Sequence, residues 1–217
     1  MEECIMEPIF DKLYQFTYKI PGMPLDCHQY LLLRDPAILF SVGSADMARD
    51  FLPKVKELLA GRPLKYLFIS HREWDECGGL AVLHKMFPET IVLCSQNAAG
   101  NFKFNDYDGK VIACTPGQPF TDGGLELEFL PYPVEPHYNL GLLAYEKNSG
   151  VFSSTDLFLK SGNTAGVVEE CNWKDLVDAI PENFLNMGPQ QPRTIAALRA
   201  INPKFVAVGH GPCFICK

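Results

Sequence analysis

LKYLFISHREWDECGGL, residues 64–80, decides the fold. Its first seven residues are an almost unbroken apolar run, the pattern of a strand buried on both faces. His71, Glu73, Asp75 and Glu76 then follow within six positions. Gly78 and Gly79 let the chain turn tightly into a helix. A buried strand that ends in four metal-ligand or acid–base side chains and leads into a helix predicts an α/β unit with its functional groups at the strand end.

Outward from this stretch, the hydrophobic spacing alternates between strand and helix periods. Before it, Met47, Phe51, Leu52, Val55, Leu58 and Leu59 share one helical face, with Gly61 as a stop. Pro53 within that pattern belongs either to a first turn or to a kink. Further upstream, residues 13–20, 27–34 and 37–43 read as strands, with a tight hairpin turn at Arg34-Asp35-Pro36-Ala37. Downstream, a short helix is expected over 79–87, then strands over 90–95, 111–115, 125–132, 140–146 and 150–154. Helices over 173–187 and 192–201 and a strand over 204–209 complete the chain. No linker divides it, so residues 1–217 read as a single domain with sheet packed on sheet and helices outside.

The totals narrow the function classes. The chain has 217 residues, 47% of them apolar, and a net charge of −7 without a Lys/Arg cluster. Nucleic acid and anionic membrane surfaces are therefore poor partners. The acidic start MEECIMEPIF lacks a signal-peptide pattern, and no apolar run reaches the ~18 residues that span a bilayer, so a cytoplasmic location is expected. Eight cysteines at irregular spacings, several inside apolar runs, read as buried free thiols. Cys213 and Cys216, a lone C-x-x-C, read as part of a frayed tail.

Three of the five histidines, His71, His137 and His210, stand at or just past strand ends, and Asp156 follows the strand GVFSST. Singly, each is more often a turn residue or a helix cap. Together they make coincidence a poor account. His71, Glu73 and Asp75 alternate, so an extended loop can aim all three one way. Imidazoles with several carboxylates suit iron or manganese, and six or more ligands exceed the needs of one ion, so two metals are the natural count. His28, inside a strand, and His84, on a short helix, receive no role.

The segments His71-Arg-Glu73-Trp-Asp75, Glu135-Pro-His137, Ser153-Ser-Thr-Asp156 and Val208-Gly-His210-Gly211-Pro resemble the signature of the metallo-β-lactamase-fold domain of flavodiiron proteins, H-x-E-x-D-H-x-G with a later His, an Asp and a final His-Gly. The resemblance runs over nearly the whole chain. It implies an α/β (α+β) fold, a four-layer αββα sandwich, with a non-haem site of two iron ions at one edge. By motif position, His71, Glu73 and His137 hold one iron, Asp75 and His210 the other, and Asp156 bridges them. Glu73 stands where hydrolytic, zinc-binding members carry His, and marks the branch that performs oxygen chemistry. Glu76 stands where the family has His. It either ligates the second iron or lies at the rim, facing solvent or Arg72.

The chain stops soon after His-Gly-Pro, without the flavodoxin-like domain of flavodiiron proteins, so no FMN is expected. It is similar in this to stand-alone oxygen-binding diiron proteins linked to oxygen sensing in chemotaxis. The resemblance thus implies O2 or NO as ligand, an external electron donor or signalling protein as partner, and a homodimer. A two-metal hydrolase and a scaffold with a degenerate site are the competing readings.

Overall fold

Residues 5–114 build one seven-stranded sheet, and residues 120–216 build a second. The computed structural model describes residues 3–104, 107–134 and 139–217. In the first half, β1 (Ile5–Phe10), β2 (Leu13–Lys19), β3 (Asp26–Leu32) and β4 (Ala37–Phe40) form an antiparallel meander. The chain then alternates through α1 (Ala45–Leu59), β5 (Leu64–Ile69), α2 (Trp74–Cys77), α3 (Leu80–Met86), β6 (Ile91–Ser95), α4 (Gln96–Phe104) and β7 (Val111–Cys114). β4 to β7 pair in parallel, as helical crossovers require.

The second half opens with another antiparallel meander: β8 (Phe120–Asp122), β9 (Leu125–Val134), β10 (Asn139–Glu146) and β11 (Val151–Thr155). β12 (Val168–Cys171), α5 (Trp173–Asp178), α6 (Gln191–Ala200), β13 (Phe205–Val208) and β14 (Cys213–Cys216) follow. The sheet order is β12-β14-β13-β11-β10-β9-β8, with β13 parallel to β11.

Side-chain alternation along the strands produces the layers. On β5, Leu67 and Ile69 face the helices α1 and α3, while Tyr66 and Phe68 face the other sheet. Phe68 meets Phe129 of β9 across the interface, ring centroids 5.8 Å apart. Leu130, Leu143, Phe152 and Val206 leave the far side of the second sheet and pack on Trp173, Val177 and Leu198. The result is helix, sheet, sheet, helix, the αββα sandwich expected from the sequence. A polar node ties the sheets together. Tyr30 on β3 donates to the Val208 carbonyl on β13 at 2.5 Å, and Gln15 on β2 donates to the Tyr30 oxygen at 3.1 Å.

Several expectations are corrected. The helix expected over 173–187 ends at Asp178, because Pro181 lacks an N–H and biases its predecessor away from helix, and Asn183 and Leu185 take left-handed φ of 54° and 47°. Of the two places open to Pro53, the first turn is excluded and the residue takes a position inside the helix. It lies well inside α1, which begins at the N-cap Ser44, whose side chain accepts from the Met47 N–H. Cys213 and Cys216 are not frayed, since β14 pairs with both β12 and β13 and Cys213 is fully buried. β1, β8, β12 and α4 were not anticipated. All eight cysteines are free thiols, and five of them are buried. No helix among the described residues is long and apolar enough to cross a membrane.

Candidate metal centre

The C-terminal ends of β5, β11 and β13 meet at one edge of the sandwich. β5 is held against β10 by the Leu142 N–H, which donates to the Ser70 carbonyl at 3.0 Å. The approach is close at Gly141, where a Cβ would come within 3.0 Å of that carbonyl and 3.3 Å of His71 Cβ. Ser41, itself at φ 65°, donates to the Asp75 carbonyl at 2.9 Å and fixes the turn of α2. On the opposite sheet the β11–β13 register shifts between Ser153 and Thr155. Thr155 has a φ of 47°, a region that costs a β-branched residue energy. That strained step turns Asp156 inward.

Two clusters result. In the first, ligand atoms of His71, Glu73 and Asp156 all lie within 4.8 Å of one another. His71 Nε2 is 3.2 Å from Asp156 Oδ2 and 3.5 Å from Glu73 Oε2, yet it is buried and lacks hydrogen-bond geometry to any partner. In the second, Asp75, His210 and Cys27 converge within the same limit. His210 Nε2 is 2.9 Å from Asp75 Oδ2 and 3.4 Å from Asp156 Oδ1, and its Nδ1 is 2.8 Å from the Asp26 carbonyl. A carbonyl at that distance fixes the ring and leaves Nε2 to face the cluster. Asp156 offers one oxygen to each cluster.

Electrostatics follow from this crowding. Burial alone would depress the His71 imidazolium, but Asp156 and Glu73 raise it well above its ordinary value. His210 is likewise raised, to about 9, because Asp75 and Asp156 outweigh its burial. Burial would raise the Asp156 carboxyl, but the two imidazoles hold it below the usual range. Without metal, the carboxylates favour protons on both imidazoles, which cations would displace. The orphaned His71 Nε2 and Asp75 Oδ1 are what a pair of cations would satisfy. Nitrogen and carboxylate donors fit iron.

Five of the seven residues singled out in the sequence, His71, Glu73, Asp75, Asp156 and His210, are brought together. His137 lies outside the described residues. The extended-loop picture of His71, Glu73 and Asp75 is corrected, since residues 74–77 form a helical turn that starts after Glu73 and carries Asp75 to the second cluster. Glu76 belongs to neither cluster among the described residues, and it does not face solvent, being 6% exposed. It lines a small internal cleft with His28, Tyr30 and Ser41, and burial, with Asp156 and Asp75 nearby, pushes its carboxyl up to about 8 against the opposing imidazoles.

His28 is a satisfied core residue, 2.8 Å from Thr17 Oγ1 and 3.0 Å from Thr164 Oγ1, and His84 is 3.2 Å from the Asp108 carboxylate. Cys27 and Tyr132 were missed. The Tyr132 ring stands edge-on to His71, and its buried hydroxyl has no hydrogen-bond partner. Tyr132 and Gly141 also line a cleft of about 340 Å³ that none of the clustered residues reaches.

The sequence profile described as "ODP family beta lactamase" matches residues 25–211. The chain is 24% identical over 135 residues to the anaerobic nitric oxide reductase flavorubredoxin of Salmonella typhi, which covers 60% of this chain and 28% of the relative. It is 23% identical over 131 residues to a nitric oxide reductase of Moorella thermoacetica, 59% of this chain and 33% of that protein. The chain thus spans about a third or less of the length of these relatives. Among solved structures, the flavodiiron core of a Synechocystis protein superposes with a TM-score of 0.78 at 18% identity, covering 98% of this chain and 57% of that one. Rubredoxin oxygen:oxidoreductase from Desulfovibrio gigas gives 0.75 at 18%, covering 98% and 58%. The fold is the metallo-β-lactamase fold of flavodiiron cores.

Proposed function

We propose, given that this chain belongs to the ODP beta-lactamase family, that it is a non-haem diiron protein that binds or reduces O2. Its further role in this reading is oxygen-responsive, with turnover dependent on an external electron donor. The observation that carries the reading is Asp156, buried between two imidazoles with one oxygen 3.2 Å from His71 and the other 3.4 Å from His210. A carboxylate so placed would hold one cation with each oxygen. His71 and Glu73, with His137 by motif position, would hold one iron, and Asp75 and His210 the other. The irons would supply reducing electrons and open coordination positions for a diatomic ligand.

The chain's own residues do the rest. The Asp26 carbonyl orients His210, Ser41 anchors the turn that carries Asp75, and the strained Thr155 aims Asp156. Tyr132 packs its ring edge-on against His71, centroids 6.1 Å apart, and so supports the orientation of that imidazole. Relatives known as nitric oxide reductases make NO the alternative ligand.

Anaerobic reconstitution with ferrous iron tests the reading. The expected result is about two irons per chain and a change in the visible spectrum on adding air, with no flavin present. Zinc alone in the purified protein, with no iron uptake by the stripped chain, would overturn it.

A further inference from the structure

We propose that Cys27 is a thiolate ligand of the second metal position, beside Asp75 and His210. The inference rests on the two-metal reading and adds a donor which the motif does not contain. Cys27 is the second residue of β3, 2% exposed, and its sulfur lies within 4.8 Å of ligand atoms of both Asp75 and His210. The preceding residue already serves the same imidazole, since the Asp26 carbonyl is 2.8 Å from His210 Nδ1. Asp26 and Cys27 thus address His210 through backbone and side chain in turn.

A second, independent observation points at a cation there. Asp75 is 7% exposed, and its Oδ1 is buried without a hydrogen-bond partner. A carboxylate oxygen in that position costs free energy unless a cation or donor satisfies it. The sulfur is also held. Gln29 Nε2 donates to Cys27 Sγ at 3.0 Å, which fixes its rotamer. Burial and the carboxylates of Asp75, Glu76 and Asp156 outweigh that bond and hold the thiol well above its ordinary value, so without a cation Cys27 is a protonated thiol. The other thiol near the site, Cys77, donates instead to the Glu73 carbonyl at 3.4 Å. Glu76, the residue in the motif's histidine position, joins neither cluster. The position therefore has one nitrogen, one carboxylate and one sulfur donor, with an Asp156 oxygen shared from the first cluster.

Binding would replace the thiol hydrogen by the metal: Cys–SH and M²⁺ give (Cys–S–M)⁺ and one H⁺, released to solvent. No oxidant or reductant enters the step. A sulfur donor makes this position softer than the first, so it should accept zinc and cobalt more readily.

Cobalt(II), added anaerobically to the metal-stripped full chain, tests this without any activity measurement. The wild-type protein should bind two equivalents, and one of them should bring an intense near-ultraviolet sulfur-to-cobalt charge-transfer band. Cys27→Ser should abolish the band and weaken one of the two equivalents at least tenfold, whereas Cys77→Ser should keep both. X-ray absorption at the cobalt edge of the wild-type protein gives a readout that needs no variant, with one sulfur neighbour expected per two metals at a thiolate distance of roughly 2.3 Å. Two bound cobalt ions with only nitrogen and oxygen neighbours would overturn the Cys27 assignment and leave the two-metal reading standing. Failure to bind cobalt or iron at all would overturn both.

Discussion

In the two-iron reading, Asp156→Asn should lower the iron content from about two ions per chain to one or fewer. The substitution keeps the shape of the side chain and removes its charge, so a loss of metal reports on the carboxylate itself. Both oxygens are engaged in the structure, one toward each imidazole, and the residue is 8% exposed, so water is poorly placed to replace them. A second readout needs no metal. His210 titrates at about 9 in the fold, raised by Asp75 and Asp156 against its burial. A folded value above the unfolded one of about 6.5 contributes stability that is fully present below pH 6.5 and lost as the pH rises through 9, on the order of 3 kcal/mol. Asp156→Asn should shrink that loss, measured as the difference in urea midpoint between pH 6.5 and pH 9 for the metal-free proteins. Unchanged iron content and an unchanged pH difference would refute the bridging role.

Glu146→Ala should cost roughly 3 kcal/mol of stability, a large share of the ~5–15 kcal/mol that holds an ordinary domain. Glu146 is fully buried at the end of β10, and its carboxylate organises the turn into β11. Oε1 accepts from the N–H groups of Glu126 at 3.1 Å and Asn148 at 3.2 Å. Oε2 accepts from the Ser149 N–H at 2.7 Å and hydroxyl at 2.6 Å. Alanine leaves these donors with a void in place of a charged acceptor. Glu146→Gln keeps the shape but turns one end into a donor facing donors, so it should fall between the two. The site follows the turn, because β11 leads directly to Thr155 and Asp156. Urea unfolding of the stripped proteins checks the order, and an alanine variant within 0.5 kcal/mol of wild type would show that the network is not structural.

The parts of the site legible in the sequence are those whose chemistry is local. His71, Glu73 and Asp75 sit within five residues after a buried strand, and Asp156 and His210 each follow an apolar run. A strand end next to a polar residue is visible without knowing what lies across from it. Cys27 was illegible because its role depends on packing against residues 48 and 183 positions further along the chain, and alone it reads as a thiol in an apolar strand. Glu76 was open for the same reason: whether the carboxylate at that helical turn faces solvent or the interior is set by β3 and β13, not by its neighbours. Among the elements, α4 escaped notice because QNAAGNFKF has little helical periodicity, and β12 because VEEC is a short, mostly polar edge strand. The over-long helix after Trp173 came from extending a real periodicity through Pro181.

Each sheet is made from one contiguous half of the chain, and the two clusters draw on both. Cys27, His71, Glu73 and Asp75 come from the first half, Asp156 and His210 from the second. During synthesis the first sheet can pair its strands and recruit α1, α3 and α4 while the second is still unmade. Its inner face, with Phe40, Tyr66 and Phe68, then stays bare until the later half arrives. Docking of the two halves closes the contacts most separated in sequence, such as the His28 N–H to the Gly209 carbonyl at 2.9 Å, and is therefore expected to be the slow step of folding. A metal that needs both clusters would not be held at full affinity before that docking, so metal uptake during refolding would serve as a clock for the last step of assembly, and a chaperone that shields the bare face would act before any metal is loaded.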